Sequence, residues 1–108
     1  MTSSLEVTDQ QSEAVAVAPR VKLSDIEAAI MHVSYVLGAD LDGPEALDVL
    51  TICLIVVRNG FTVVGKSAPA SPENFDAELG KKFAYEDAVR QLWPLMGFAL
   101  RDKLHQGT

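Results

Sequence analysis

The residues with the clearest chemical potential are an aromatic ring and a set of cations in the second half of the chain. The ring of Phe61 can stack on a nucleobase, a nearby helix N-terminus with Asn74 offers polar contacts, and Arg90 can bind a phosphate. We therefore infer a candidate site for a small anionic ligand such as a nucleotide. Its predicted ligand-binding residues are Phe61, Asn74, Arg90, Lys66 and Lys82.

A plainer interpretation of the same cations is a solvated helix face. Lys82 lies four residues from both Glu78 and Glu86, a spacing at which opposite charges pair on a helix surface. Both interpretations remain open on the sequence alone.

Residue types that support catalysis or metal binding are present but badly spaced. His32 and His105 have no cysteine or second histidine at ligand spacing. Cys53 lies within an apolar run, where a thiol packs rather than reacts, and Asp40 and Asp42 fall in a loop that faces water. No phosphate-binding loop, dinucleotide fingerprint or nucleophile elbow is found. The sequence predicts a protein that is not an enzyme and that uses no metal or cofactor.

Composition limits the remaining possibilities. The 108 residues include 9 Lys and Arg against 15 Asp and Glu, a formal charge of −6, which argues against general nucleic-acid binding. One cysteine cannot form a disulfide framework, and no apolar stretch is long enough to cross a bilayer. No signal peptide is visible. We expect a soluble protein in the cytoplasm, with no membrane partner.

The first half of the chain divides into a polar segment and the start of a domain. Residues 1–20 predict a flexible acidic tail, and residues 21–108 a single α+β domain. Ser24 and Glu27 have the spacing of a capping box. They predict a short N-terminal helix over 25–37, whose apolar stripe is Ile26, Ile30, Val33 and Leu37.

Two apolar runs, residues 49–57 and 61–64, predict an antiparallel β-hairpin. Asn59 and Gly60 between them favour a two-residue type I′ turn. That register places Leu54, Val56, Phe61 and Val63 on one face and Ile55, Val57 and Val64 on the other. A two-stranded ribbon with two apolar faces must be covered on both sides. We therefore expect a homo-oligomer in which another subunit covers the second face.

A long C-terminal helix completes the predicted fold. Ser71 and Pro72 are typical of a helix start. Pro94 removes a backbone donor within the helical pattern, so we expect a kinked helix in two pieces, 73–92 and 95–104.

Several motifs in order resemble the small phage and prophage family named for gene 49 of coliphage N4 and gene 66 of phage Sf6. The resemblance covers about residues 49–104, and the motifs that carry it are NGFTV (59–63), GKS (65–67), SPENFDAELG (71–80) and LWPLMGFAL (92–100). Phe61 and Asn74 lie within these motifs, whereas the roles of Arg90, Lys66 and Lys82 are inferred from charge and periodicity.

Some relatives resemble anti-defence sponges, which are oligomers that hold a host immune signal without cleaving it. The resemblance thus implies an accessory protein that sequesters a small cyclic nucleotide, either of the cyclic ADP-ribose type or a cyclic oligonucleotide. The alternative is a protein-interaction module that inhibits a host protein and binds no small molecule.

Overall fold

The computed structural model describes residues 3–107, which form three α-helices and a three-stranded antiparallel sheet. The α+β class is therefore confirmed. Residues 1, 2 and 108, which belong to the predicted tail and domain, lie outside the described part. The helices are α1 (Ser4–Val15), α2 (Leu23–Ala29) and α3 (Ala77–Gln106), and the strands, in spatial order, are β1 (Ile30–Leu37), β2 (Thr51–Val57) and β3 (Thr62–Ser67).

Strand β1 replaces most of the predicted helix 25–37. Only α2 is helical, and at Ile30 the chain turns extended and pairs antiparallel with β2 from Ile30↔Val57 to Leu37↔Thr51. The apolar spacing of the predicted stripe also fits a strand, because Val33 and Leu37 lie on one face of β1. Pairing with the strongly apolar β2 decides between the two structures, since a tertiary contact outweighs weak local propensity.

The connection between β2 and β3 has three residues rather than the predicted two. Val57 N–H donates to the Phe61 carbonyl at 3.0 Å, and Gly60 N–H donates to the Val57 carbonyl at 2.8 Å. Gly60 has φ 89°, while no other described residue has a positive φ. A type I′ turn needs two such residues, so that prediction is wrong. The loop instead places its one left-handed residue at glycine.

The longer loop shifts the register by one residue and changes the predicted faces. Val63 pairs with Ile55, and Val64 pairs with Leu54. The inner face therefore carries Cys53, Ile55, Val57 and Val63, all buried against α3, and the outer face carries Ile52, Leu54, Val56 and Val64. Both faces are apolar, and Val64 is exposed.

Helix α3 lies very close to β3 at Gly65. A β-carbon at this position would lie 2.0 Å from the Ala84 carbonyl oxygen and 2.5 Å from the Ala88 nitrogen. Ala84 and Ala88 are fully buried. The helix backbone can therefore rest on the strand only because all three side chains are small.

The start of α3 differs from the prediction. Pro72–Asn74 form a 3₁₀ turn, and the Ser71 side chain caps nothing. Asp76 is the N-cap, and its Oδ1 accepts from the N–H groups of Glu78 and Leu79 at 3.0 Å. An ionised carboxylate is the stronger partner for these free donors and for the helix dipole.

Helix α3 continues through Pro94, so the expected break into two pieces is wrong. Proline removes one intrahelical bond, but neighbouring contacts hold the chain in its helical course. Leu92 is buried, and Trp93 Nε1 donates to the Val21 carbonyl at 3.1 Å. None of the helices among residues 3–107 is long and apolar enough to cross a membrane.

The segment predicted to be a flexible tail contains helix α1. A capping box joins Ser3 and Glu6 at its start, and Leu5 is only 3% exposed. The Asp9 carboxylate accepts from Leu23 N–H and from Arg20, and these hydrogen bonds lower the pKa of Asp9. Because just one buried apolar residue anchors α1, the helix leaves almost no hydrophobic pattern in the sequence.

Substitution of Gly65 tests the close approach of α3. We expect Gly65→Ala to lower the free energy of unfolding by about 1–3 kcal/mol, because the new methyl group overpacks the contact with Ala84 and Ala88. Gly97 is the matched control, since a β-carbon there would meet nothing within 4 Å. Gly97→Ala should stabilise the protein by about 0.5–1 kcal/mol. Urea unfolding of both variants checks the opposite signs, and equal effects would contradict the packing described.

Substitution of Leu5 tests whether α1 is part of the folded unit. We expect Leu5→Ala to cost about 2–4 kcal/mol and to lower Tm by about 10–20 °C, because a buried leucine side chain is lost. Val15, which is 77% exposed on the same helix, is the control. Val15→Ala should change stability by less than about 0.5 kcal/mol. Equal melting curves for both variants and the unsubstituted chain would show that α1 does not dock.

Candidate functional site

An apolar cleft lies where the β2–β3 loop, the end of α2 and α3 meet. Its volume is about 430 Å³. The loop side supplies Arg58, Asn59 and Phe61, and the remaining lining residues are Ala29, Val57, Leu92, Leu95, Met96 and Ala99. This is an apolar depression with one cation and one exposed aromatic ring at its rim.

The register of the hairpin brings Phe61 to this cleft. The bond from Val57 N–H to the Phe61 carbonyl places the two residues opposite each other, so both side chains are on the inner face of the sheet. Asn59 Oδ1 accepts from Phe61 N–H at 2.9 Å and fixes the loop. The Phe61 side chain is nevertheless 54% exposed, because α3 covers only part of it.

Arg58 joins the hairpin to α2 and brings a positive charge to the cleft. Its backbone N–H donates to the Ala29 carbonyl at 2.9 Å, and its Nε donates to the Ala28 carbonyl at 2.8 Å. Its terminal Nη groups donate no hydrogen bond within residues 3–107. The guanidinium is therefore held at one nitrogen and is available at the others.

The chain belongs to a phage protein family. The family model described as phage protein (N4 Gp49/phage Sf6 gene 66) family matches residues 21–104, which confirms the resemblance seen over 49–104. The cleft lies inside the matched region, and α1 lies outside it. Comparison with curated proteins and with solved structures finds no match.

Of the five ligand residues predicted for this family member, only Phe61 lines the cleft. Asn74 lines a smaller depression of about 260 Å³ with Leu79 and Phe83. Leu79 and Leu92 are about 20 Å apart along α3 at 1.5 Å per residue, so Asn74 and Phe61 do not meet. Asp76 already occupies the first free N–H groups of α3, and its charge disfavours an anion beside Asn74.

Arg90 is engaged by the N-terminal helix. Its Nη2 donates to Ser4 Oγ at 2.7 Å, and Ser4 Oγ in turn donates to Glu86 Oε2 at 3.1 Å. Glu86 is buried. This network docks α1 on α3, and a phosphate contact of Arg90 stays a prediction.

The two predicted lysines lie apart from the cleft. Lys66 is on the outer sheet face, with its backbone N–H bonded to Asp87. Lys82 Nζ lies 5.9 Å from the centre of the Phe83 ring. Glu78 lies 4.0 Å from Lys81, Glu86 accepts a hydrogen bond from Ser4, and Lys82 forms a salt bridge with neither carboxylate. A ligand role for Asn74, Arg90, Lys66 or Lys82 stays a prediction.

The cation that sequence reasoning did not assign to the site is Arg58. Its position depends on where α2 ends, because Arg58 bonds to the carbonyls of Ala28 and Ala29. The predicted helix 25–37 continued past this point. Within residues 3–107, no group of three or more His, Cys, Asp or Glu side chains is arranged to hold a metal ion.

Cys53 is a packed residue on the inner face of the sheet. It is fully buried, and burial raises the pKa of its thiol, although a hydrogen bond with Tyr35 acts in the opposite direction. The thiol is therefore protonated at neutral pH and screened from solvent.

The reactivity of Cys53 follows from this burial. We expect a water-soluble disulfide reagent at neutral pH to modify the folded protein at least about 100-fold more slowly than the protein in urea, because attack requires an exposed thiolate. The control is Thr62→Cys, an exposed position on β3, in a Cys53→Ser background. Its rate should be nearly the same folded and unfolded. Equally fast modification of folded Cys53 would contradict its burial.

Proposed function

We propose that this phage protein binds a small cyclic nucleotide signal in the cleft beside Phe61 and sequesters it without cleavage in the host cytoplasm. The ligand class is a cyclic ADP-ribose type molecule or a cyclic oligonucleotide. The observation that carries the proposal is an exposed phenyl ring at an apolar wall, with the Arg58 guanidinium on the same loop.

The cleft has suitable size and lining for one flat ring. Its volume of about 430 Å³ is within the range of roughly 300–1,000 Å³ found for small-molecule sites. Leu92, Leu95 and Met96 supply the apolar wall. A nucleobase stacked on Phe61 would cover surface that is now exposed to water, and such stacking contributes about 1–3 kcal/mol per base.

Arg58 supports binding of the charged part of such a ligand. Its Nε bond to the Ala28 carbonyl orients the guanidinium, and its free Nη groups can donate two parallel hydrogen bonds to a phosphate. Ring and cation are three positions apart in sequence, at opposite ends of one tight loop. This arrangement favours a compact ligand whose base and phosphate are close together.

The lining residues support storage rather than turnover. The set contains no carboxylate, imidazole, thiol or hydroxyl side chain. Hydrolysis of a glycosidic or phosphodiester bond needs a positioned general base, nucleophile or metal. A binding protein needs none of these, because it lowers the free signal by mass action in proportion to its concentration and affinity.

Calorimetric titration against cyclic ADP-ribose isomers and cyclic oligonucleotides tests the proposal. We expect one of these ligands to bind the unsubstituted protein. Phe61→Ala and Arg58→Gln should each weaken binding by about 10- to 100-fold, because each removes one recognition element. Phe61→Ala should have a modest effect on stability, since the ring is half-exposed.

Phe98→Ala is the matched control for the aromatic ring. Phe98 is 74% exposed on α3 and does not line the cleft, so its loss should leave the affinity unchanged. The proposal is rejected if folded protein gives no heat with any ligand, or if Phe61→Ala binds as well as Phe98→Ala.

A further inference from the structure

The two edge strands of the sheet differ in how far the rest of the chain covers their outward backbone groups. β3 is one edge strand and β1 is the other, with β2 between them. An edge strand presents unpaired N–H and C=O groups to which another strand can bind. In this protein one edge is closed and one is open.

Helix α3 closes the β3 edge with two side chains. Gln91 Nε2 donates to the Val64 carbonyl at 2.7 Å, and Asp87 Oδ2 accepts from Lys66 N–H at 2.9 Å. The Val64 carbonyl and the Lys66 N–H point away from β2. The bond between Val57 and Phe61 shows that the odd-numbered residues of β3 bond to β2, and bonding alternates along an antiparallel pair. A second strand cannot add here without displacing Asp87 and Gln91.

The β1 edge has no such cover. Gly38 N–H donates to the Leu50 carbonyl at 2.8 Å. Because bonding alternates along an antiparallel pair, the even-numbered residues of β1 bond to β2. The backbone groups of Val33, Tyr35 and Leu37 therefore point outward, and they make no hydrogen bond within residues 3–107.

The composition of β1 leaves this edge unguarded. Natural edge strands are protected by lysine, proline, inward charges or short length. β1 has eight residues, IMHVSYVL, with no proline and no Asp, Glu, Lys or Arg. One irregularity of register, between Ile30 and His32, is a feature that can protect an edge, but it lies at the start of the strand and leaves His32–Leu37 regular. In a chain of net charge −6, this strip allows two copies to approach without opposing like charges.

We propose that β1 pairs antiparallel with β1 of a second copy, forming a symmetric dimer with a six-stranded sheet. A strand can pair with a copy of itself about a two-fold axis. The outward N–H of a residue in one copy then meets the outward C=O of its partner residue in the other copy, and the reverse bond also forms. This interface is independent of the nucleotide proposal, since β1 contributes no residue to the cleft.

The regular part of β1 selects the register. The residues whose backbone groups point outward are odd-numbered, and they must pair with one another across the dimer. The midpoint between two odd-numbered positions is itself a residue, so the two-fold axis passes through a residue. Ser34 on the axis lies within the regular stretch His32–Leu37 and pairs Val33 of each copy with Tyr35 of the other. Such aromatic and β-branched neighbours stabilise a sheet. His32, Ser34 and Val36 then extend the outer apolar face across both copies.

Charge substitution at Ser34 tests both interface and register. Ser34 faces Ser34 of the second copy, on the outer face and away from the core. Ser34→Glu and Ser34→Lys should each weaken the dimer roughly tenfold or more, because two like charges meet on the axis. An equimolar mixture of the two variants should restore a dimer. Thr62 is exposed on β3 on the same face of the sheet, and Thr62→Glu is the control, which should dimerise as the unsubstituted chain does.

Sedimentation equilibrium at micromolar concentration gives the mass of each sample. A dimer for the unsubstituted chain, monomers for each Ser34 variant and a dimer for the mixture support the proposal. A single-chain mass for the unsubstituted protein overturns it. A dimer that Ser34→Glu leaves unchanged also overturns it, because another surface then forms the contact.

Amide hydrogen exchange on the unsubstituted protein needs no variant to fold. The outward amides of Val33 and Tyr35 should be protected in the dimer and should exchange faster on dilution. The Val64 N–H on the β3 edge has no hydrogen-bond partner within residues 3–107, although the Val64 carbonyl accepts from Gln91. This N–H is the internal control and should exchange fast at every concentration. Fast exchange of Val33, Tyr35 and Val64 alike would rule out the β1 pairing.

Discussion

The contact between Gly65 and helix α3 determines how the rest of the molecule is arranged. With no side chain at Gly65 and only methyl groups at Ala84 and Ala88, the helix backbone lies directly on β3. Asp87, which lies between the two alanines, and Gln91, one turn after Asp87, reach the edge of β3. Leu92 and Met96 reach the hairpin end. The closed edge and the cleft both follow from one close approach.

The same contact makes the two faces of the sheet unequal. Helix α3 buries the inner side, including Ile55 and Val63, while Leu54 and Val64 face outward. Within residues 3–107, no helix lies on the outer side. Helix α1, outside the region that matches the family, adds to the inner layer through Leu5. The helices of residues 3–107 therefore lie on one side of the sheet, and an apolar sheet surface and a strand edge are left uncovered.

The sequence predicted the elements better than their pairing. The β-branched run ending at Val57 and the long stripe of α3 are strong local signals, and both elements are present. Asn59 and Gly60 fit either a two- or a three-residue loop, so one residue of register could not be decided locally. That one residue places Phe61 on the same face as Ile55 and Val57 instead of the face of Leu54 and Val56. Likewise Val33 and Leu37 fit helix and strand alike until β2 is available to pair.

The undecided register also limited how much of the candidate site could be predicted from the sequence. Phe61 was recognisable from its place after the turn, but the cation beside it depends on register and on where α2 ends. Arg58 reaches the cleft only because Ala28 and Ala29 accept its hydrogen bonds. Arg90, in contrast, faces Ser4 of a helix that has almost no hydrophobic pattern. The residues inferred from charge therefore lie apart, with Lys66 on β3 and Lys82 and Arg90 on α3.

The most direct measurement is mass spectrometry of small molecules released by heat from protein purified out of cells that make the immune signal. We expect an intact cyclic nucleotide, near one per cleft, from the unsubstituted chain and almost none from Phe61→Ala. Recovery of no nucleotide, or of an opened and hydrolysed product, would contradict it.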